Sequence, residues 1–259
     1  MADREFSTLA SKLAASVPGC PPPTVIQYIR DSAIRVCERT LFWRYAVPLF
    51  NLQPGVHEYF YDKPSNTDVH VLFDALVNCD PLQKLTLEQA LFQWPCWADL
   101  YSGVSPTALW DETSPGALFN SPEYNEAQYN GPGGTFSYPA AVLADASTPA
   151  AICQINPDKY IVLPLPDNDK VYEVRMFLAL KPKRTATGMD EVVFNELEDV
   201  ILHGALQHLL VLPNVSWSDR ELAAYHAKQY VYHISERRAR ANLGNMRGVM
   251  TARMQSFGV

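Results

Sequence analysis

Apolar residues recur with a helical period near both ends of the chain and with a period of two in its middle. Near the start, Val25, Ile26, Ile29, Ala33, Val36, Cys37 and Thr40 form one stripe. Arg30, Asp31, Arg35, Glu38 and Arg39 lie mostly off it. This spacing predicts an amphipathic helix over 24–43. Thr24 and Gln27 read as a capping box, and Pro21 to Pro23 block a helix before it. Ahead of it, residues 5–19 predict a short helix closed by Pro18 and Gly19.

The middle reads as strands. Segments 45–52 and 56–63 flank Gln53-Pro54-Gly55, a good turn sequence. Val69, Val71, Phe73, Ala75 and Val77 alternate as one face of a strand, and Asp80-Pro81 marks a turn. Thr86 and Gln89 form a second capping box, opening a short helix that Pro95 stops. Strands resume at 139–146 and 150–156. Segments 159–166 and 170–182 meet across Asp167-Asn168-Asp169, which predicts a hairpin.

The helical period returns over 190–212 with a stripe of Val193, Leu197, Val200, Ile201, Ala205 and Leu209, stopped by Pro213. A last helix over 218–243 opens on a third capping box, Ser218 with Glu221, and Gly244 suits its C-cap. The class is α+β: helices from both chain ends form a bundle, with a mostly antiparallel beta domain between them. The division is an N-terminal helical part over 1–43, the beta domain over 44–184, a helix pair over 185–243 and an extended C-terminal arm over 244–259.

Residues 98–136 break the pattern. They are rich in Pro, Gly, Ser and Asn, yet carry Trp110, Phe119, Tyr124 and Tyr129. Loops of this length in a compact domain are uncommon and often functional. Exposed aromatic patches tend to mark interfaces, so these four residues are expected to contact a neighbouring subunit or another protein.

Charge adds a second asymmetry. The formal net charge is -7, yet from Arg237 to the end the chain has five arginines and no Asp or Glu. Removing that +5 leaves -12 for the rest. No uninterrupted apolar run approaches the ~18 residues of a membrane span. Asp3, Arg4 and Glu5 stand where a secretory leader needs a basic start and an apolar run, so none is expected there. The five cysteines are widely spaced with no CxxC, which predicts reduced thiols.

Reaction chemistry finds little support. No phosphate loop or nucleophile elbow is present. His203 and His208, five apart, face different directions, while His226 and His233, seven apart, share a face without a carboxylate to complete a metal site. No catalytic residue, cofactor or metal is assigned. Phe42-Trp43 and Trp217 read as core plugs.

Three stretches carry a family resemblance. The first is VPGCPPPTVIQYIRDSAIRVCERTLFWR, with Pro18, Gly19, Cys20 and Pro21, then Arg35, Cys37, Arg39, Thr40, Trp43 and Arg44. The second is YIVLPLPDNDKVYEVRMFLALKP, with Pro164, Pro166, Asp167, Tyr172 and Pro182. The third runs from Gly204 to Ala241, with Gly204, Ala205, Leu206, Leu209, Pro213, Trp217 and Ala223. In this order they resemble head-to-tail adaptor proteins of tailed bacteriophages, over roughly two thirds of the chain. Residues 98–136 depart from that pattern, which has a shorter connection there.

The resemblance implies a structural virion protein, not an enzyme, made in the host bacterial cytoplasm and placed at the head–tail junction. It implies a ring of about twelve copies beneath the portal, closed by heterologous contacts. A tail or nozzle protein is carried below, and packaged DNA passes through the lumen without specific binding. The C-terminal arm would dock on the portal protein through Arg237, Arg238, Arg240, Arg247 and Arg253, with Met250, Met254 and Phe257 as apolar anchors. Two alternatives stand beside this. Cations matched to a helix dipole at a frayed end account for Arg237, Arg238 and Arg240. A soluble binding module with a nucleic-acid-contacting tail accounts for all five.

Overall fold

The computed structural model of the chain describes residues 3–54, 56, 58–94 and 147–243. The expectations for residues 98–136, the strand at 139–146, Pro95, Gly244 and the C-terminal arm lie outside them. The described residues are mixed α+β, with five helices and eleven strands. The chain divides into two compact units. One takes in residues up to Arg44, Ser65–Asp68 and those from Ala179 onward; the other takes in Tyr45–Pro64 and Val69–Leu178.

In the first unit, helix α1 spans Ser7–Ala14 and α2 spans Pro22–Thr40. The α2 helix starts on the prolines rather than after them. Pro21 is its extended N-cap and no side chain caps it, so the Thr24–Gln27 box does not form. Proline is tolerated here because the first turn needs no N–H partner and its φ is already helical. The helix also stops three residues short of Trp43. Leu41 turns left-handed (φ 53°) and its N–H bonds the Cys37 carbonyl at 3.0 Å. Trp43 is buried. The buried stripe is the expected one, with Ser32 added and Ile26 only half-buried.

Helix α4 covers Glu191–Leu209, capped by Asp190, which accepts from the Val192 and Val193 N–H groups. Helix α5 covers Arg220–Leu243. Its cap is Asp219, which accepts from the Glu221 and Leu222 N–H groups, both at 3.0 Å. The expected Ser218–Glu221 box is absent, because the Ser218 hydroxyl donates instead to the Leu210 carbonyl at 3.1 Å. Here α3 is Leu87–Gln93, whose Thr86–Gln89 capping box is present in both directions.

Helices α2, α4 and α5 pack against one another. Ser32 of α2 donates to the Ile201 carbonyl of α4 at 2.8 Å inside this junction. Helix α1 adds Leu9 and Leu13, with Phe6 just ahead of it packed 6.2 Å from Phe194. Strand β1 (Asp3–Glu5) pairs antiparallel with β11 (Gly188–Asp190), so the start of the chain is tied to the start of α4. Arg4 and Lys12 both reach Glu198.

Two larger sheets hold the middle of the chain. One has the order β2-β10-β5-β6, with β3 also on β10: β2 is Arg44–Ala46, β3 Phe50–Asn51, β5 Thr67–Val77, β6 Asp80–Pro81 and β10 Glu173–Pro182. The other has the order β4-β9-β8-β7, where β4 is Glu58–Phe60, β7 Gln83–Leu85, β8 Ala151–Gln154 and β9 Lys159–Leu163. Here β8 and β9 are antiparallel and β7 and β8 parallel. Helix α3 packs on Leu85, Cys153, Ile161 and Leu163 through Ala90, Leu91 and Trp94.

One expected turn and one expected hairpin become sheet-to-sheet connections. The Gln53 turn forms, with the Val56 N–H on the Gln53 carbonyl at 3.2 Å, but β3 goes to β10 and β4 to β9. Likewise β9 and β10 join different sheets across Asp167–Asp169, where Asp167 accepts from the Asp169 N–H and the Tyr172 hydroxyl. The turn expected at Asp80-Pro81 lies two residues earlier, at Asn78 and Cys79, both at positive φ (50° and 74°). Asp80 and Pro81 instead pair with Val77 and Leu76 as β6.

The two faces of the last helix

The residues of α5 that the sequence singles out divide between its two faces. On the inner face Ala223, His226, Tyr230 and Ala241 are buried, at spacings of three, four and eleven residues that each follow the helical repeat. Tyr230 fits there because its neighbour on α4 is Gly204: a Cβ at that position would lie 2.8 Å from the Tyr230 ring and 2.2 Å from the Ser32 Oγ. Arg39 of α2 stacks over the same ring at 5.8 Å. Burial pushes the Tyr230 phenol up, while Arg39 and Arg35 oppose this.

Arg237 and Arg240 continue the inner edge. Both reach the same carboxylate, Glu196 of α4, at 3.1 and 3.0 Å. The family resemblance implies a portal contact for these two arginines; in the fold both bond Glu196. Arg238, one residue on from Arg237, is exposed on another side of the helix. Of the remaining docking residues, Arg247, Met250, Arg253, Met254 and Phe257 lie outside the described residues, as do Trp110, Phe119, Tyr124 and Tyr129.

The outer face is not that of a simple solvated helix. Tyr225 (52 % exposed) and Tyr232 (65 %) stand two turns apart on one line, with Leu222 at 37 % beside them. Val231 (59 %) and Arg238 form a second line, also seven residues apart. Tyr225 and Tyr232 share one line, while Leu222 and Val231, nine residues apart, fall on opposite flanks of it. Single exposed apolar residues are ordinary, but two large ones aligned and flanked in this way mark a candidate interaction surface. The signal was readable in the sequence: apolar residues of 220–243 fall on both sides of the helix, so one partner does not cover them.

His203 of α4 faces His226 of α5, their Nδ1 atoms 2.8 Å apart. The His233 ring stacks on His203 with centroids 5.6 Å apart. Thus His226 and His233 do share a face, and His208 is turned away from it, bonded to Arg35. Burial lowers the pKa of His203, helped by His226 and His233, and burial lowers that of His226. Among the described residues no group of three or more His, Cys, Asp or Glu is arranged to hold a metal ion, and no helix is long and apolar enough to cross a membrane. Described Cys20, Cys37, Cys79 and Cys153 are free thiols. Burial raises the Cys37 thiol to about 12, which makes it unreactive.

No protein-family model matches the chain, and no curated protein matches it.

Proposed function

We propose that this protein is a head-to-tail adaptor of a tailed bacteriophage: a non-enzymatic virion protein that forms a ring of about twelve copies on the portal. The ring joins the portal to the next tail or nozzle component and lines the DNA passage at the head–tail junction. The helices from both chain ends act in this reading as one bundle, with the beta part inserted between them and an arm beyond α5.

The observation that carries the reading is the outer face of α5. Tyr225 and Tyr232 are exposed on one line, with Leu222 and Val231 exposed on its two flanks, on a helix whose other face is already occupied. A ring subunit needs two different contact faces, one of which seats on its neighbour. Tyrosine suits such a face, since its ring buries apolar area while its hydroxyl stays hydrated. Arg238 sits beside the patch, and the arginines beyond it, Arg247 and Arg253, are carried by the segment assigned to the portal. Arg237 and Arg240 are removed from the portal contact in this form of the reading, because Glu196 holds both. Their part is to hold the root of the arm against α4. The same pairing takes two of the five arginines away from a nucleic-acid tail, and the net charge of -7 opposes DNA retention in the lumen.

The test is mass and cryo-microscopy of the purified protein mixed with the portal protein of the same phage. The expected result is a ring of adaptor subunits mounted on the portal. Removal of residues 245–259 is expected to abolish mounting and leave the melting temperature nearly unchanged. A full-length protein that stays monomeric beside the portal, or a truncated one that mounts at full occupancy, overturns the assignment in whole or for the arm.

A further inference from the structure

We propose that the histidines between α4 and α5 form an acid-sensitive clamp: double protonation of the facing pair His203 and His226 releases the last helix from α4.

The pair is held by its geometry. At 2.8 Å, one Nδ1 must donate an N–H and the other must accept. A single added proton is compatible with this, because it enters at the far nitrogen of the donor ring and leaves the bond in place. A second proton removes the acceptor. Two N–H groups then point at each other across 2.8 Å, each on a cationic ring, and the contact becomes repulsive. The His233 ring, stacked on His203, leaves that ring little room to swing away on its side.

The surrounding charges do not rescue the doubly protonated pair. On α4, Asp199 favours the charged form of His203, but the net shift of that ring is still downward. Glu196, one turn earlier, is taken by Arg237 and Arg240. On α5, Glu236 lies 3.5 Å from His233 Nδ1, and Tyr225 meets His226 edge-on. From α2, Arg39 stacks on Tyr230, Arg35 is on His208 and Glu38 is on Lys181. One carboxylate therefore serves the pair directly, enough for one imidazolium and not for two.

The sign follows. Both rings bind protons less well in the folded protein than at their ordinary value of 6.5. The unfolded or released state then takes up protons first as pH falls. The clamp is whole above pH 6.5, weakens below it, and opens as pH passes through the lowered folded values. What it controls is the helix that carries both the exposed tyrosine face and the root of the C-terminal segment.

The experiment is hydrogen exchange of the full chain between pH 7.5 and 5.0, corrected for intrinsic rates, with NMR titration of the imidazoles. Amides of α5 are expected to lose protection at least tenfold more than those of α2 over this range. The paired imidazoles are expected to titrate below 6.5, in two separated steps. His226→Gln and His203→Asn, which cannot charge, should flatten the pH dependence of α5 protection. Wild-type rings that titrate at or above 6.5, or α5 amides whose protection does not change with pH, overturn the clamp without reliance on any variant. Because none of these readouts involves assembly, the result is independent of the adaptor reading.

Discussion

Gly204 on α4 leaves space for two neighbours at once: a Cβ there would lie 2.2 Å from the Ser32 Oγ of α2 and 2.8 Å from the Tyr230 ring of α5. Three helices meet at this one residue. Alanine gains roughly 1 kcal/mol over glycine from helix propensity alone. The Ser32 hydroxyl can turn only by giving up its bond to the Ile201 carbonyl, and the Tyr230 ring is buried. Gly204→Ala is therefore expected to destabilise by about 1–3 kcal/mol net. Urea denaturation checks it; a variant as stable as the parent shows that the junction relaxes freely.

The Asn78–Cys79 loop predicts a gain. Both residues have positive φ, the pattern of a two-residue hairpin turn, where Asn-Gly is preferred. Asn78 is committed by side-chain bonds to the Glu173 N–H (2.9 Å) and the Val171 carbonyl (3.1 Å). Cys79 is exposed and carries the strain of a left-handed backbone without such a role. Cys79→Gly should raise stability by up to ~1 kcal/mol, read as a higher melting temperature. Asn78→Ala should lower it.

Helix α3 depends on its cap. Thr86 accepts from the Gln89 N–H and Gln89 returns the bond to the Thr86 N–H. The helix has only seven residues, too few to hold itself by propensity. Thr86→Ala is expected to cost about 1 kcal/mol, with the fastest amide exchange appearing in residues 87–93. Unchanged exchange there would mean that packing of Ala90 on Cys153 and Ile161 is sufficient.

The proposed assembly surface on the outer face of α5 can be tested apart from folding. Tyr225→Glu and Tyr232→Glu place charges where each side chain is more than half exposed. Monomer stability should change by no more than ~0.5 kcal/mol. In the proposed adaptor role, ring formation on the portal should be reduced tenfold or more. A double variant that assembles normally moves the subunit contact away from this helix.

Glu196→Gln tests the root of the arm. All three partners are partly exposed, so loss of the shared carboxylate should cost under about 1 kcal/mol and less at high salt. The reading of Arg237 and Arg240 as internal ties also predicts that the variant frees them, so the last turn of α5 should exchange faster.

The sequence by itself determined the α+β class, the helices with one apolar stripe, and the box at Thr86 and Gln89, because these depend on periodicity and on partners three residues apart. It also determined that His226 and His233 share a side of α5. Other local signals misled where a distant group competed. Ser218 looks like a cap until Leu210 takes its hydroxyl, and the Asp167 turn looks like a hairpin until β9 and β10 find partners elsewhere. Alternation in β5 also fails in its middle, where Leu72 is buried and Val71 and Phe73 are only half-buried. Tertiary structure alone decided that Arg237 and Arg240 share Glu196, that His203 meets His226, and that Gly204 admits Ser32 and Tyr230. Each of these joins residues more than twenty positions apart, and no local pattern encodes which face of one helix meets which face of another.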